Sequence, residues 1–275
     1  MRDILVTLGT VDARSGHVNY AVELCTALDA ALTALYVSQP FVDMPPIESP
    51  ALLPEAVHFL REHRRAAVAG GPAFITWAKQ RGVRHCEWKI ANGSIAAALA
   101  ELGNWHDLIV SGGVQPSDPQ SMAVCGEMLL KAPAACLIVP AGVEWHGMPR
   151  RIAVAWNDSP QAIHAISAAR PFLDRDSHVI VLSGKSRSDD AASHIVHPGF
   201  DLPAYLDRHG YDVECYSGQI DDRCAGESLL AAAADVNADL LVMGAYGRAR
   251  FSEWVLGGAT RHVLQNATLP LLMRH

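Results

Sequence analysis

The sequence predicts an α/β protein made of two tandem five-stranded parallel-sheet domains, each an α/β sandwich. Three observations carry this reading. Candidate strands alternate with helical patterns along the whole chain. The strands are continuous apolar runs such as Ile4-Leu5-Val6 and Leu240-Leu241-Val242, as expected of parallel sheets covered on both faces. The same opening and closing patterns also occur twice.

The first half opens with Ile4-Leu5-Val6-Thr7-Leu8, a polar turn, and a helical pattern through Val18, Ala21, Val22 and Leu24. Further strands are predicted at 32–37 and 86–90, with a helix over 94–102. Asp107-Leu108-Ile109-Val110 precedes a glycine pair, and the apolar strand 136–139 closes the half. Residues 141–149, rich in chain breakers, read as the link, giving domains over 1–142 and 150–275. The second half opens with Ile152-Ala153-Val154-Ala155-Trp156. Ser159 or Asp158 is then placed to cap a helix whose first turn holds Pro160. Strands follow at 179–182 and 213–216, then a helix over 227–236. Asp239-Leu240-Leu241-Val242 leads into a glycine-rich stretch, and 269–273 closes the chain. The matched ends favour two domains over one large doubly wound sheet. The two closing strands, short, apolar and terminal, are expected to pair the halves around a pseudo-twofold axis, with Pro270 at the start of its strand or on a free side.

Composition removes several classes of function. Half of the 275 residues are hydrophobic, which excludes a disordered chain. A net charge of −7 argues against a nucleic-acid partner. The uncharged stretch 66–78 is shorter than the roughly 18 apolar residues a membrane span needs, and the start lacks a signal-peptide apolar region. Six cysteines without a CxxC pair point to a reduced, cytoplasmic setting. The thirteen histidines form no four-ligand spacing, so no structural zinc or iron is expected. His58 and His63 share a predicted helix at a spacing that favours a solvated face over a metal site. No GxSxG elbow supports a serine nucleophile. Asp189-Asp190 and Asp221-Asp222 read as solvated acidic pairs rather than Mg²⁺ ligands.

The segment from Gly244 through Gly247, Arg248, Arg250, Gly257 and Gly258 to Thr260 carries the most chemistry. It follows a predicted buried strand and leads into a helix. Glycines in such a loop let backbone N–H groups approach phosphate oxygens, and the helix N-terminus adds a positive dipole end. A purely structural turn is the alternative. The spacing Gly244-x2-Gly247-x9-Gly257, the flanking runs 238–244 and 260–273, and the opening 154–160 resemble the universal stress protein family. The resemblance is strong in the second half and holds only in outline in the first.

It implies an adenine nucleotide α-hydrolase-like fold, with two domains packed as a pseudo-dimer, and a bound ATP or AMP, with or without Mg²⁺. Carried over by position, Gly244 and Gly247 lie at the ribose and α-phosphate. Gly257, Gly258 and Thr260 lie at the remaining phosphates, and Asn157 lies at the adenine. Two departures stand out: Asn157 replaces the family's usual Asp, and Gly258 replaces a Ser or Thr. In the first half, Gly9, Gln115, Ala123, Val124 and Gly126 stand where Asn157, Gly247, Gly257, Gly258 and Thr260 stand in the second, so that half is expected to be degenerate. Ser111-Gly112-Gly113 resembles the pyrophosphate loop of ATP pyrophosphatases but follows the fourth strand rather than the first. The resemblance thus implies a nucleotide binder in stress response without efficient catalysis, with a nucleotide-free scaffold and a slow ATPase as alternatives. It leaves open whether two chains form a homodimer.

Overall fold

The computed structural model describes residues 1–14, 16–38, 53–115, 119–174, 176–184, 200–246 and 257–275. The first half runs β1 (Asp3–Leu8), α1 (His17–Leu28), β2 (Ala31–Ser38), α2 (Leu53–Gln80), β3 (Cys86–Asn92), α3 (Ile95–Leu102), β4 (Leu108–Gly112), α4 (Pro119–Lys131) and β5 (Ala135–Val139). The second runs β6 (Arg151–Trp156), α5 (Pro160–Ala169), β7 (His178–Ser183), α6 (Leu202–Arg208), β8 (Asp212–Cys215), α7 (Ala225–Asp235), β9 (Leu240–Gly244), α8 (Gly258–Asn266) and β10 (Leu271–Arg274).

Each half is a five-stranded parallel sheet, as expected, and the two sheets are fused. The strand order is β3-β2-β1-β4-β5-β10-β9-β6-β7-β8, a single sheet of ten strands. Only the junction is antiparallel: Leu271 faces Ile138, Leu272 faces Leu137, and Met273 faces Cys136. The closing strands therefore join the halves as predicted. Pro270 precedes β10 and uses only its carbonyl, which accepts from the Leu241 N–H. One buried cluster lies on each face, and each includes residues from both halves, among them Val6 and Val154 on one face and Ile109 and Leu241 on the other. The continuous sheet thus combines the expected halves with the single-sheet alternative.

The doubled sequence pattern has a local cause. Asp107 Oδ2 accepts from the backbone N–H groups of Arg2 and Asp3. Asp239 Oδ2 does the same for Arg150 and Arg151, at 3.0 and 2.9 Å. In each half the aspartate before the fourth strand anchors the start of the first. Ser159 caps α5 through the Ala162 N–H at 3.2 Å, with Pro160 at the first helical position. The first half departs from its counterpart in α2, a helix of 28 residues that continues through Gly70, Gly71 and Pro72. A Cβ on Gly70 would lie 2.1 Å from Val11 Cγ1, and one on Gly71 would lie 2.9 Å from the Trp88 ring. The glycines let α2 lie directly on the β1–α1 loop and on β3. His63 reaches from α2 to the Tyr36 hydroxyl at 3.0 Å, so only His58 fits the expected solvated face. Asp221 is exposed, as the solvated reading expects, and accepts from the Arg223 N–H on its own loop. Asp189 and Asp190 lie outside the described residues.

The sheet's two free edges, β3 and β8, carry charged side chains, a common safeguard against unwanted strand pairing. On β8, Asp212 and Glu214 both bond the His178 ring, at 2.6 and 3.0 Å. These bonds raise the His178 pKa, against burial and the nearby Arg151, which lower it. A histidine raised in the fold contributes stability that is complete below about pH 6.5 and is lost as pH climbs through the folded pKa. Amide exchange in 212–215 is therefore expected to speed up as pH rises above 6.5, after correction for intrinsic exchange. His178→Gln should abolish that pH dependence, and an unchanged profile would refute the role.

Candidate functional site

In both halves the strand order places the first and fourth strands side by side with their crossovers running to opposite sides. This is the topological switch point at which open α/β sheets bind ligands beyond the carboxyl ends of their strands. In the second half the pair is β6 and β9, with Ala155 opposite Met243. Asn157 follows the first of these strands and Gly244 ends the second.

Gly257 and Gly258 stand at the start of α8. Gly257 caps α8 with φ −54° and ψ 141° and offers no side-chain cap to the first turn. A Cβ built on either glycine meets no atom within 4 Å among the described residues. The first-turn N–H groups of a helix lack intrahelical acceptors, so this end can take an anion. Thr260, in the same turn, is only 5% exposed and belongs to the packed side of α8. Gly247 and Arg248 lie outside the described residues.

Gly244 and Asn157 have structural duties of their own. A Cβ on Gly244 would stand 2.7 Å from the Ala162 nitrogen and the Gln161 carbonyl carbon, so the glycine lets β9 abut the first turn of α5. Gln161 Oε1, beside it, is buried and has no hydrogen-bond partner among the described residues. Asn157 Oδ1 accepts from the Ser159 N–H at 3.2 Å, closing a turn in which Asp158 has φ 56°. Among the described residues this leaves the Asn157 amide nitrogen without a hydrogen-bond partner.

Sequence reasoning did not single out Tyr246. It takes φ 64°, a left-handed conformation that costs a side-chain-bearing residue roughly 1 kcal/mol or more. Its hydroxyl donates to the Gly126 carbonyl of α4 at 2.8 Å, across the junction between the halves. Its ring meets His275 edge-on at 5.6 Å, and burial raises its pKa to about 12. The entrance to the glycine-rich loop is thus held from the other half. The only hint in the sequence is a non-glycine residue inside a glycine-rich turn.

The first-half switch point is filled. Thr7 Oγ1 donates to Ser111 Oγ at 3.1 Å, and the His17 ring bonds the Thr7 carbonyl at 2.8 Å. That ring lies where a Cβ on Gly112 would be, 3.0 Å from Nδ1, and Gly113 is pressed against Pro140. Burial lowers the His17 pKa. Ala123 and Val124, opposite Gly257 and Gly258 in the repeat, lie inside α4, so their amides serve the helix. Ser111 and Gly112 end the fourth strand, and Gly112 and Gly113 serve packing. Among the described residues no group of three His, Cys, Asp or Glu side chains is arranged to hold a metal, and no helix is long and apolar enough to cross a membrane. The cysteines among them are unpaired, and burial raises the Cys125 pKa to about 12 and the Cys86 pKa to about 11.

Residues 148–275 match the model of the universal stress protein family. No curated protein matches the sequence. A universal stress protein from Archaeoglobus fulgidus DSM 4304 superimposes with a TM-score of 0.71 at 15% identity, covering 99% of this chain and 95% of that one. A functionally unknown protein from Pseudomonas aeruginosa PAO1 gives 0.54 at 17% identity, over 99% and 92%. A shorter Archaeoglobus fulgidus universal stress protein, in complex with dAMP, covers 50% of this chain and 98% of its own, at 11% identity and a TM-score of 0.36.

Two substitutions test the packing roles. Gly244→Ala forces a methyl into the α5 backbone and is expected to lower stability by about 1–3 kcal/mol in denaturant titrations without any ligand. Tyr246→Phe keeps the ring and loses the bond to Gly126, for an expected loss of about 0.5–1.5 kcal/mol.

Proposed function

We propose, from the match of residues 148–275 to the universal stress protein family, that the chain is a member of that family and that its second half binds an adenine nucleotide, ATP or AMP, without efficient turnover. The observation that carries the reading is the open, uncapped start of α8 at Gly257 and Gly258, set at the β6–β9 switch point. Phosphate oxygens would accept from the first-turn N–H groups of α8, and the adenine would lie toward Asn157. Gly244, Gly247, Arg248 and Thr260 complete the proposed set, with Gly244 letting the strand end approach α5 and Arg248 supplying charge. A divalent ion, Mg²⁺ above all, would reach the site with the phosphates. The proposal places domain boundaries at 1–142 and 150–275, makes the first half a pseudo-dimer partner, and assigns the protein to the cytoplasm and to stress response.

A second reading has its own support. Gly244 is fully explained by its contact with α5, Asn157 by its turn, and Thr260 by burial. A nucleotide-free scaffold of the same fold would need these residues for the same reasons.

Gly258→Asp separates the two readings through opposite signs. A carboxylate in the first turn favours the helix dipole, so stability is expected to stay level or rise by a few tenths of a kcal/mol. The same charge repels phosphate, and calorimetric affinity for ATP and AMP is expected to fall at least tenfold. Asn157→Asp keeps the turn acceptor and should bind adenine equally well or better. Wild-type protein that gives neither heat nor thermal shift with millimolar nucleotide would establish the scaffold reading.

A further inference from the structure

The second half also contains a cavity of about 190 Å³ between α5 and α6, in the helix layer away from the start of α8. Trp156, Ile166, Leu173, Leu202 and Leu206 form its buried apolar wall. Protein interiors pack at the density of organic crystals, so a space of this size departs from the rule. The matching layer of the first half is packed with aromatic rings. There, between α1 and the end of α2, Phe74 is fully buried, with the Trp77 and Trp88 rings 5.4 and 5.5 Å away. On the corresponding helix of the second half the buried residues are Leu202 and Leu206, with Tyr205 partly exposed beside them.

The rim is polar on one side. Arg170 Nη2 donates to the Tyr205 hydroxyl at 2.9 Å, and the guanidinium has no carboxylate partner among the described residues. The His209 ring lies 4.2 Å from that of Tyr205, and its Nδ1 bonds the Tyr205 carbonyl at 2.8 Å, leaving Nε2 without a partner among the described residues. Ile163 and Phe200, about half exposed, form an apolar mouth. A guanidinium presents several donors in a planar fork matched to a carboxylate.

We propose that this cavity is a second ligand site, separate from the nucleotide site, and that it takes a small aromatic carboxylate. The ring occupies the aliphatic pocket, and the carboxylate bonds Arg170 beside the Tyr205 hydroxyl and His209. The size fits: a cavity of about 150 Å³ lined by similar side chains accommodates benzene, so this one holds a phenyl ring with a short side chain. A nucleotide is too large and too polar for these walls.

The test uses the whole chain without nucleotide and 3-phenylpropanoate as the probe, followed by methyl NMR and calorimetry. The expected result is saturable shifts at Ile163, Ile166, Leu173, Leu202 and Leu206, with a Kd of about 1 mM or tighter, as ligands of this size allow. The uncharged 3-phenylpropan-1-ol is expected to bind about tenfold more weakly. Arg170→Gln should lower the acid to the affinity of the alcohol while leaving the alcohol unchanged. Ile163→Glu, at the exposed mouth, should weaken the acid further without lowering the melting temperature. Absence of saturable shifts at tens of millimolar, equal binding of acid and alcohol, or an Arg170→Gln variant that binds the acid as wild type does would each overturn the proposal. Nucleotide titrations of the same variants report on the other site and are expected to match wild type.

Discussion

Three antiparallel residue pairs, Ile138–Leu271, Leu137–Leu272 and Cys136–Met273, hold the molecule together as one object. Without them each half would present a largely apolar edge strand to water, an arrangement prone to aggregation. With them, ten strands form one surface, and each helix layer buries a cluster that crosses the junction. The pairing also sets direction. Antiparallel contact turns the carboxyl ends of the two sets of strands to opposite margins of the sheet, so the switch points of the two halves open away from each other.

That division lets the halves differ. At the first-half margin His17, Thr7, Ser111 and the Val11 loop fill the space, while α2 lies over the loop. At the second-half margin the β6–α5 connection is three residues long, and the α8 terminus is open among the described residues. The filled half still acts on the open one: the Gly126 carbonyl holds Tyr246, and with it the start of the glycine-rich loop, in a backbone conformation that the loop alone would resist.

What the sequence revealed was local or periodic. Ser159 with Pro160, the paired Asp107 and Asp239, and the closing strands act through near neighbours or repeats, and all were legible. The length of α2 was not, because Gly70, Gly71 and Pro72 end helices by local rules, and it is Val11 and Trp88, distant in sequence, that favour close packing there. Gly244 illustrates the limit at the site: a glycine that lets phosphate approach and one that lets a helix approach read identically in a sequence. Tyr246 and Gly126 are 120 residues apart, and no spacing rule connects them. The cavity beside Arg170 likewise depends on which side chains are missing from a layer.

With the inner edges joined, only β3 and β8 remain as outer margins of the sheet. Glu87 and Lys89 project from one, and Asp212 and Glu214, held by His178, from the other. An additional strand docking along either margin would have to strip water from these charges, so growth of the sheet from one molecule to the next is opposed at both ends. Joining the halves within one chain has used the pairing capacity that could otherwise seed a fibre. The molecule is a finite tile, and crowding or high expression should concentrate it without polymerising it edge to edge.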